Sequence, residues 1–377
     1  MIISKLDIKG FKSLKDVSIP LRKLNIFTGL NSMGKSSAIQ TLLLLHQSKR
    51  DSMLILNDSE YVELGNGKDI LYENAEEKLI SIDLEYSNSA SLIEKISVEI
   101  EYNADWERLY RKVYNAVSEP KVLFNNIADL DYSTFNGNLQ YLKAERNGPL
   151  KTYPTSSYHL QKTHLGTKGE YTVHYLNLNG SDRIKNVALL HPKAKSDTLI
   201  HQTEAWLSEI SPGTKLNTTK IPNTDLVLLD FQFETNTDYS NRYRPVNVGF
   251  GLSYTLPVIV ALLTATEGKL IIVENPEAHL HPRGQVEIAK LAAKAAQTNA
   301  QIIFETHSDH IINGLRVAVK ENEISNKDLG IFFFERKNQG HESFSVITEI
   351  KIDKKGELSD FPKNFLDEST NQLFKLL

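Results

Sequence analysis

The run Gly29-Leu30-Asn31-Ser32-Met33-Gly34-Lys35-Ser36 constrains this chain more than any other feature of it. It satisfies the spacing G-x-x-x-x-G-K-[ST] and follows a short apolar strand (Leu24, Ile26, Phe27). It then opens a helix whose apolar residues, Ala38, Ile39 and Leu42 to Leu45, surround most of its circumference. Glycines let backbone amides converge on phosphate oxygens, and the helix N-terminus adds partial positive charge. In such a loop Lys35 neutralises the β- and γ-phosphates and the Ser36 hydroxyl ligates Mg²⁺, while Asn31, Ser32, Gly34 and Ser37 complete the cradle. A helix apolar on nearly every side must be buried.

Two further strand-and-helix units lie near the other end of the sequence. Lys269 to Asn299 holds the apolar strand Leu270-Ile271-Ile272-Val273, a polar turn, and a long Ala/Lys-rich helix starting near Pro282. Gln301-Ile302-Ile303-Phe304 is again strand-like and ends in Glu305-Thr306-His307-Ser308. Continuous apolar strands of this kind belong to a parallel sheet covered on both faces, with ligands at the carboxyl ends of the strands. The glycine-rich loop needs an acidic metal partner at such an end, and Glu274 holds that position.

Between these units the pattern changes. Ser81 to Tyr86 and Lys95 to Tyr102 alternate like half-exposed antiparallel strands. Asp105 to Ala116 reads as a helix carrying Trp106, Leu109, Tyr110 and Val113, and Lys215 to Thr219 and Thr235 to Asn241 read as loops. Residues 80–245 are therefore expected to form an inserted lobe with its own smaller core, and residues 1–79 and 246–377 a composite core domain. Gly330 to Glu335 and Phe344 to Lys351 read as closing strands of that domain.

Composition narrows the chemistry. With no cysteine, disulfide scaffolds, thiolate metal sites and a cysteine nucleophile are all excluded, and the reducing cytoplasm is the expected location. A formal charge of −4 gives no global signal for nucleic-acid binding. The opening Met1 to Ile8 alternates like a strand rather than a signal peptide, and the apolar stretch Leu256 to Ala265 is about half the ~20 residues a bilayer crossing requires, so no membrane partner is expected.

Three stretches carry a family resemblance. Glu274-Asn275-Pro276-Glu277-Ala278-His279-Leu280-His281-Pro282 resembles the extended Walker B segment of ABC-type ATPases related to the overcoming-lysogenization-defect proteins and SMC-like heads. Phe304-Glu305-Thr306-His307-Ser308 resembles their switch strand, and Val246 to Ser253 their signature motif. Tyr141 to Pro149 and Gly356 to Phe365 are similar to segments of the subgroup that carries a short C-terminal domain of uncharacterised function, found in prokaryotic anti-phage defence.

The resemblance implies an α/β P-loop NTPase fold, an ABC-type ATPase head with a large inserted lobe of mixed strands and helices. It implies a homodimer, or a higher oligomer, sandwiching two ATP molecules. Gly249, Gly251 and Ser253 of one protomer would face the nucleotide of the other, and His307 would reach the γ-phosphate. It further implies an ATPase subunit that controls a separate effector, a nuclease or toxin. The alternatives are an SMC-like or recombination-mediator ATPase acting directly on DNA, and a transporter's nucleotide-binding subunit.

One departure bears on mechanism. Asn275 stands where most relatives have the catalytic Glu, and an amide orients a water but does not take its proton. Either hydrolysis is slow, Glu277 replaces the missing base, or the subgroup tolerates the Glu-Asn pair with normal turnover. Ser32 stands where many such loops have Gly. His279, His281, His307 and His310 lack an established zinc spacing. Arg146, in a turn before Gly148-Pro149, reads first as a surface arginine and otherwise as a contact to nucleotide, partner or nucleic acid.

Overall fold

Alternation of apolar and polar residues builds the first sheet. In the computed structural model, which describes residues 2–49, 51, 53–87, 93–115, 122–124, 138–161, 163–363, 365–366, 372 and 375–376, the chain packs as two units. The first comprises Met1–Asn138, Asn326–Asp353 and Glu357–Leu377, and the second Leu139–Ser325 with Lys354–Gly356.

The first unit begins with β1 (Ile2–Phe11) and β2 (Leu14–Ile19), an antiparallel hairpin turned at Lys12, whose φ is 50°. The fully buried β3 (Leu24–Gly29) leads through the glycine-rich loop into α1 (Lys35–Gln47), as its apolar circumference predicts. Next come β4 (Met53–Ile55), the single-turn α2 (Gly67–Ile70), β5 (Leu79–Ser87), β6 (Ile93–Glu101), β7 (Arg108–Asn115) and β8 (Val122–Phe124). The sheet order is β2-β1-β5-β6-β7-β4, with β8 also on β7. Because β5 pairs with β1, residues 79–115 group with the N-terminal segment, and packing divides the chain elsewhere than at residues 79/80 and 245/246.

The helix expected over Asp105 to Ala116 is instead the strand β7, and Ala116 lies outside the described residues. Leu109, Arg111 and Val113 point inward while Tyr110 and Lys112 face out, the period of two that defines a strand. Arg111 obscured that period in the sequence. It is 8% exposed, and its Nη2 donates to the carbonyls of Ser48 (2.7 Å) and Asp51.

The second unit opens with β9 (Leu139–Leu142), β10 (Tyr153–Pro154), α3 (Ser157–Gln161), α4 (Thr172–Asn179) and α5 (Leu199–Ile210). β11 (Thr214–Lys220) and β12 (Leu226–Phe233) follow, and with β10 they form an antiparallel sheet in the order β10-β12-β11. Lys215 to Thr219, expected as a loop, therefore lies within β11, whose polar residues hold the ladder while Thr214 and Leu216 bury its inner face. The buried α6 (Phe250–Leu263), β13 (Leu270–Glu274), α7 (Pro282–Ala296), β14 (Gln301–Glu305) and α8 (Asp309–Lys320) complete it. β13 runs parallel between β9 and β14, so the carboxyl ends of all three strands face the same way.

The chain then returns to the first unit as β15 (Leu329–Gln339) and β16 (Glu342–Ile350), turned at Gly340. β15 pairs in parallel with β3 from Leu329 opposite Leu24 to Phe334 opposite Gly29. Among the described residues no helix is long and apolar enough to cross a membrane.

Candidate functional site

In the first unit the candidate phosphate site is the loop joining β3 to α1. Gly29 (φ 132°), Ser32 (φ 63°) and Gly34 (φ 100°) all adopt left-handed backbone, which curls the chain back on itself before the helix starts. A Cβ on Gly29 would sit 2.2 Å from the Phe334 carbonyl oxygen, so that position admits only glycine. Ser32 accepts the same conformation with a side chain, and its carbonyl takes a hydrogen bond from Arg336 Nη2 at 3.0 Å.

Lys35 is buried, and its Nζ donates to the carbonyls of Gly29 (3.0 Å) and Leu30 (2.8 Å), across the mouth of the loop. Asn31, Ser32 and Ser36 are exposed and Ser37 is half-buried. No acidic residue occupies the first turn of α1, so the positive end of its dipole is not neutralised there. Left-handed glycines, the first-turn amides of α1, one ammonium and one exposed hydroxyl fit a phosphate chain with its cation.

In the second unit the carboxyl end of β13 carries a bonded cluster. Glu274 Oε1 accepts from the Tyr141 hydroxyl (2.8 Å) and Oε2 from the Ala144 amide (3.1 Å), which fixes the plane of the carboxylate. Burial and the Glu274 charge push the Tyr141 phenol up, so it remains a donor. A carboxylate offers about four lone-pair sites, so Glu274 keeps acceptor capacity for a cation.

Asn275 follows with φ 45°, and its amide donates to the Glu305 carbonyl at 2.8 Å. Glu277 Oε2 accepts from Thr306 Oγ1 (2.8 Å) and Oε1 from the His307 amide (2.9 Å), which ties the turn after β13 to the turn after β14. The His307 side chain is exposed.

Arg146, read from sequence as a surface residue, is 5% exposed. Its Nη1 donates to the carbonyls of Glu274 (2.6 Å) and Lys143 (3.0 Å), its Nη2 to Asn275 (2.8 Å) and its Nε to Tyr254 (3.3 Å). Burial pushes this guanidinium down to about 10, so it stays charged at neutral pH. The acceptors of Arg146 are backbone carbonyls, which no residue pattern announces. Tyr141 was closer to legible, since it faces Ile272 on a strand parallel to β13.

The three residues of the expected signature separate. Gly249 caps α6 in the open, with no atom within 4 Å of where a Cβ would stand. Gly251 is glycine for a local reason, because a Cβ there would meet the His279 carbonyl oxygen at 2.6 Å. Ser253 is 5% exposed, inside the helix packing. His279 packs on the rings of Phe250 (4.5 Å) and Tyr254 (4.8 Å), and His281 caps α7 by accepting from the Arg283 amide.

Residues 24–313 match the family model described as "AAA domain, putative AbiEii toxin, Type IV TA system", and residues 324–376 match "Protein of unknown function (DUF3696)". No curated protein matches the chain. Among solved structures it is similar to an SmcHead bound to the C-winged helix domain of ScpA, at 14% identity over 92% of this chain and 98% of that one, with a TM-score of 0.51. It also aligns with the SMC head domain from Thermotoga maritima, at 11% identity, 93% and 100% coverage and a TM-score of 0.48. A third match is an Smc head with an extended coiled coil bound to the C-terminal domain of ScpA, derived from Pyrococcus furiosus, at 13% identity, 99% and 99% coverage and a TM-score of 0.49.

Proposed function

Because the chain belongs to this AAA domain family and has the α/β fold of an ABC-type, SMC-head-like P-loop ATPase, we propose that it binds and hydrolyses ATP with Mg²⁺. In this reading it dimerises around two ATP molecules and works as a nucleotide-dependent switch on a separate effector, a nuclease or toxin, in anti-phage defence. The observation that carries the ATPase reading is the curled loop, with Gly29, Ser32 and Gly34 left-handed and Lys35 drawn across its mouth.

ATP with its Mg²⁺, when bound, supplies the phosphoanhydride to be cleaved and the Lewis acid that takes up its charge. Lys35 and the first-turn amides of α1 then hold the phosphate oxygens, with Asn31, Ser32, Gly34 and Ser37 lining the curl. For the cation the first unit would offer the Ser36 hydroxyl, and the second the Glu274 carboxylate, oriented by Tyr141 and Ala144. Asn275 orients the attacking water, and Glu277 takes its proton on a carboxylate oxygen released from Thr306 or His307. His307 meets the γ-phosphate. Gly249, open and uncrowded, is the part of the signature that meets the nucleotide of a second protomer.

The test is MgATP binding, hydrolysis and light-scattering mass for the wild type and Lys35→Ala. We expect turnover and an ATP-dependent dimer in the wild type and neither in the variant. A wild type that binds no MgATP ends the reading. Turnover stimulated by DNA and steeply reduced by salt, with no co-purifying protein, supports the DNA-acting alternative over the effector switch.

A further inference from the structure

The C-terminal segment 324–376, which matches a family of unknown function, touches the glycine-rich loop at three separate points. The Phe334 carbonyl lies against Gly29 and excludes any side chain there. Ser345 Oγ, held by Ser13 Oγ at 2.8 Å, would be 2.5 Å from a Cβ on Gly34. Arg336 Nη2 bonds the Ser32 carbonyl at 3.0 Å. Each contact falls on one of the left-handed residues that give the loop its curl.

The placement follows from register. β15 runs parallel to β3 and its pairing ends with Phe334 opposite Gly29, so the next residues continue beside the loop. Two residues on, Arg336 shares the face of Phe334, and its guanidinium reaches the Ser32 carbonyl. Ser345 arrives from β16, which pairs with Arg336 at that same residue. Ser32 is the one non-glycine among the left-handed positions of the loop, so it is where the loop gains most from an outside restraint.

We propose that the segment of unknown function is the frame of the phosphate loop, and that Arg336 is a positioning residue that holds Ser32 in its left-handed conformation. This rests on the reading of the loop as an ATP site. Arg336 acts on the loop backbone rather than on the nucleotide, so its effect depends on the residue at position 32. Glycine adopts positive φ without strain, so a Ser32→Gly loop no longer needs the restraint.

The test is a double-mutant cycle on the full chain, with MgATP affinity measured by calorimetry and folding checked by melting temperature. Arg336→Ala should weaken MgATP by about tenfold, the low end for a hydrogen bond from a charged donor. Arg336→Lys should recover part of the loss. In a Ser32→Gly background, Arg336→Ala should cost less than about threefold relative to that background, the non-additivity of two coupled sites. A full tenfold loss in the Ser32→Gly background would overturn the proposal, because Arg336 would then act on the nucleotide directly. Wild-type affinity in Arg336→Ala would overturn it too. A wild type that binds no MgATP fails the ATPase reading itself, an outcome distinct from either of these.

Discussion

The guanidinium of Arg146 lies 4.5 Å over the ring of Tyr254, while its nitrogens reach the carbonyls of Glu274 and Asn275. One buried side chain thus joins the first turns of α6 to the turn that ends β13. The Tyr254 hydroxyl closes the circuit by donating to the Ala144 carbonyl. Arg146→Ala removes this donor from the carbonyls of Lys143, Tyr254, Glu274 and Asn275 and should cost roughly 3 kcal/mol. Urea unfolding checks this, and Arg146→Lys should restore only part, since one ammonium does not span the fork.

The left-handed backbone of Asn275 gives that residue a conformational reason to be Asn, independent of catalysis. A Glu there gives the water a second base, one without the two hydrogen bonds that hold Glu277, but strains the backbone by about 1 kcal/mol. Asn275→Glu should raise the single-turnover rate about a hundredfold while lowering the melting temperature by a few degrees. Equal rates would remove the idea that Asn275 restrains the chemistry. Asn275→Gly, unstrained and without an amide, separates the two effects.

Gly249 and Gly251 should respond in opposite ways. A Cβ at Gly249 has no atom within 4 Å and the residue is exposed, so Gly249→Arg should keep stability while ATP-dependent dimerisation is lost. Gly251→Ala drives a Cβ into the His279 carbonyl and should destabilise by about 1–3 kcal/mol. Analytical ultracentrifugation and thermal melts read the two outcomes. Retention of the dimer by Gly249→Arg would place the interface elsewhere.

Lys269, 4% exposed, has its Nζ 3.3 Å from the Thr264 carbonyl and hydroxyl, and burial pushes its ammonium down to about 8 from 10.5. Its folded value lies below the unfolded one, so between about pH 8 and 10.5 the unfolded chain holds the additional proton and this residue makes stability rise with pH. Lys269→Met should remove that rise and add up to about 3 kcal/mol at pH 7. An unchanged pH slope in denaturant titrations of the variant would refute the assignment.

The strands β3, β13 and β14 and the helices α1 and α7 were legible because apolar runs and turn residues agree in them. Tyr110 and the buried Arg111 explain why β7 was not. Leu109, Tyr110 and Val113 imitate a helical face, and a charge at an inward position hides the alternation. In the candidate site the glycine spacing and Glu274 could be read directly. The roles of Arg146 and Arg336 could not, since each bonds main-chain carbonyls supplied by segments distant in sequence.

The parallel pairing of β3 with β15 also sets an order of events during synthesis. Gly29 emerges from the ribosome before its neighbour Phe334, which is about 300 residues behind it. At ~5–20 residues per second the loop waits about 15–60 s for the strand that shapes it. In a nascent chain the loop is therefore made well before the strand whose carbonyl lies against Gly29, and the pairing of β3 with β15 is completed only once β15 has emerged.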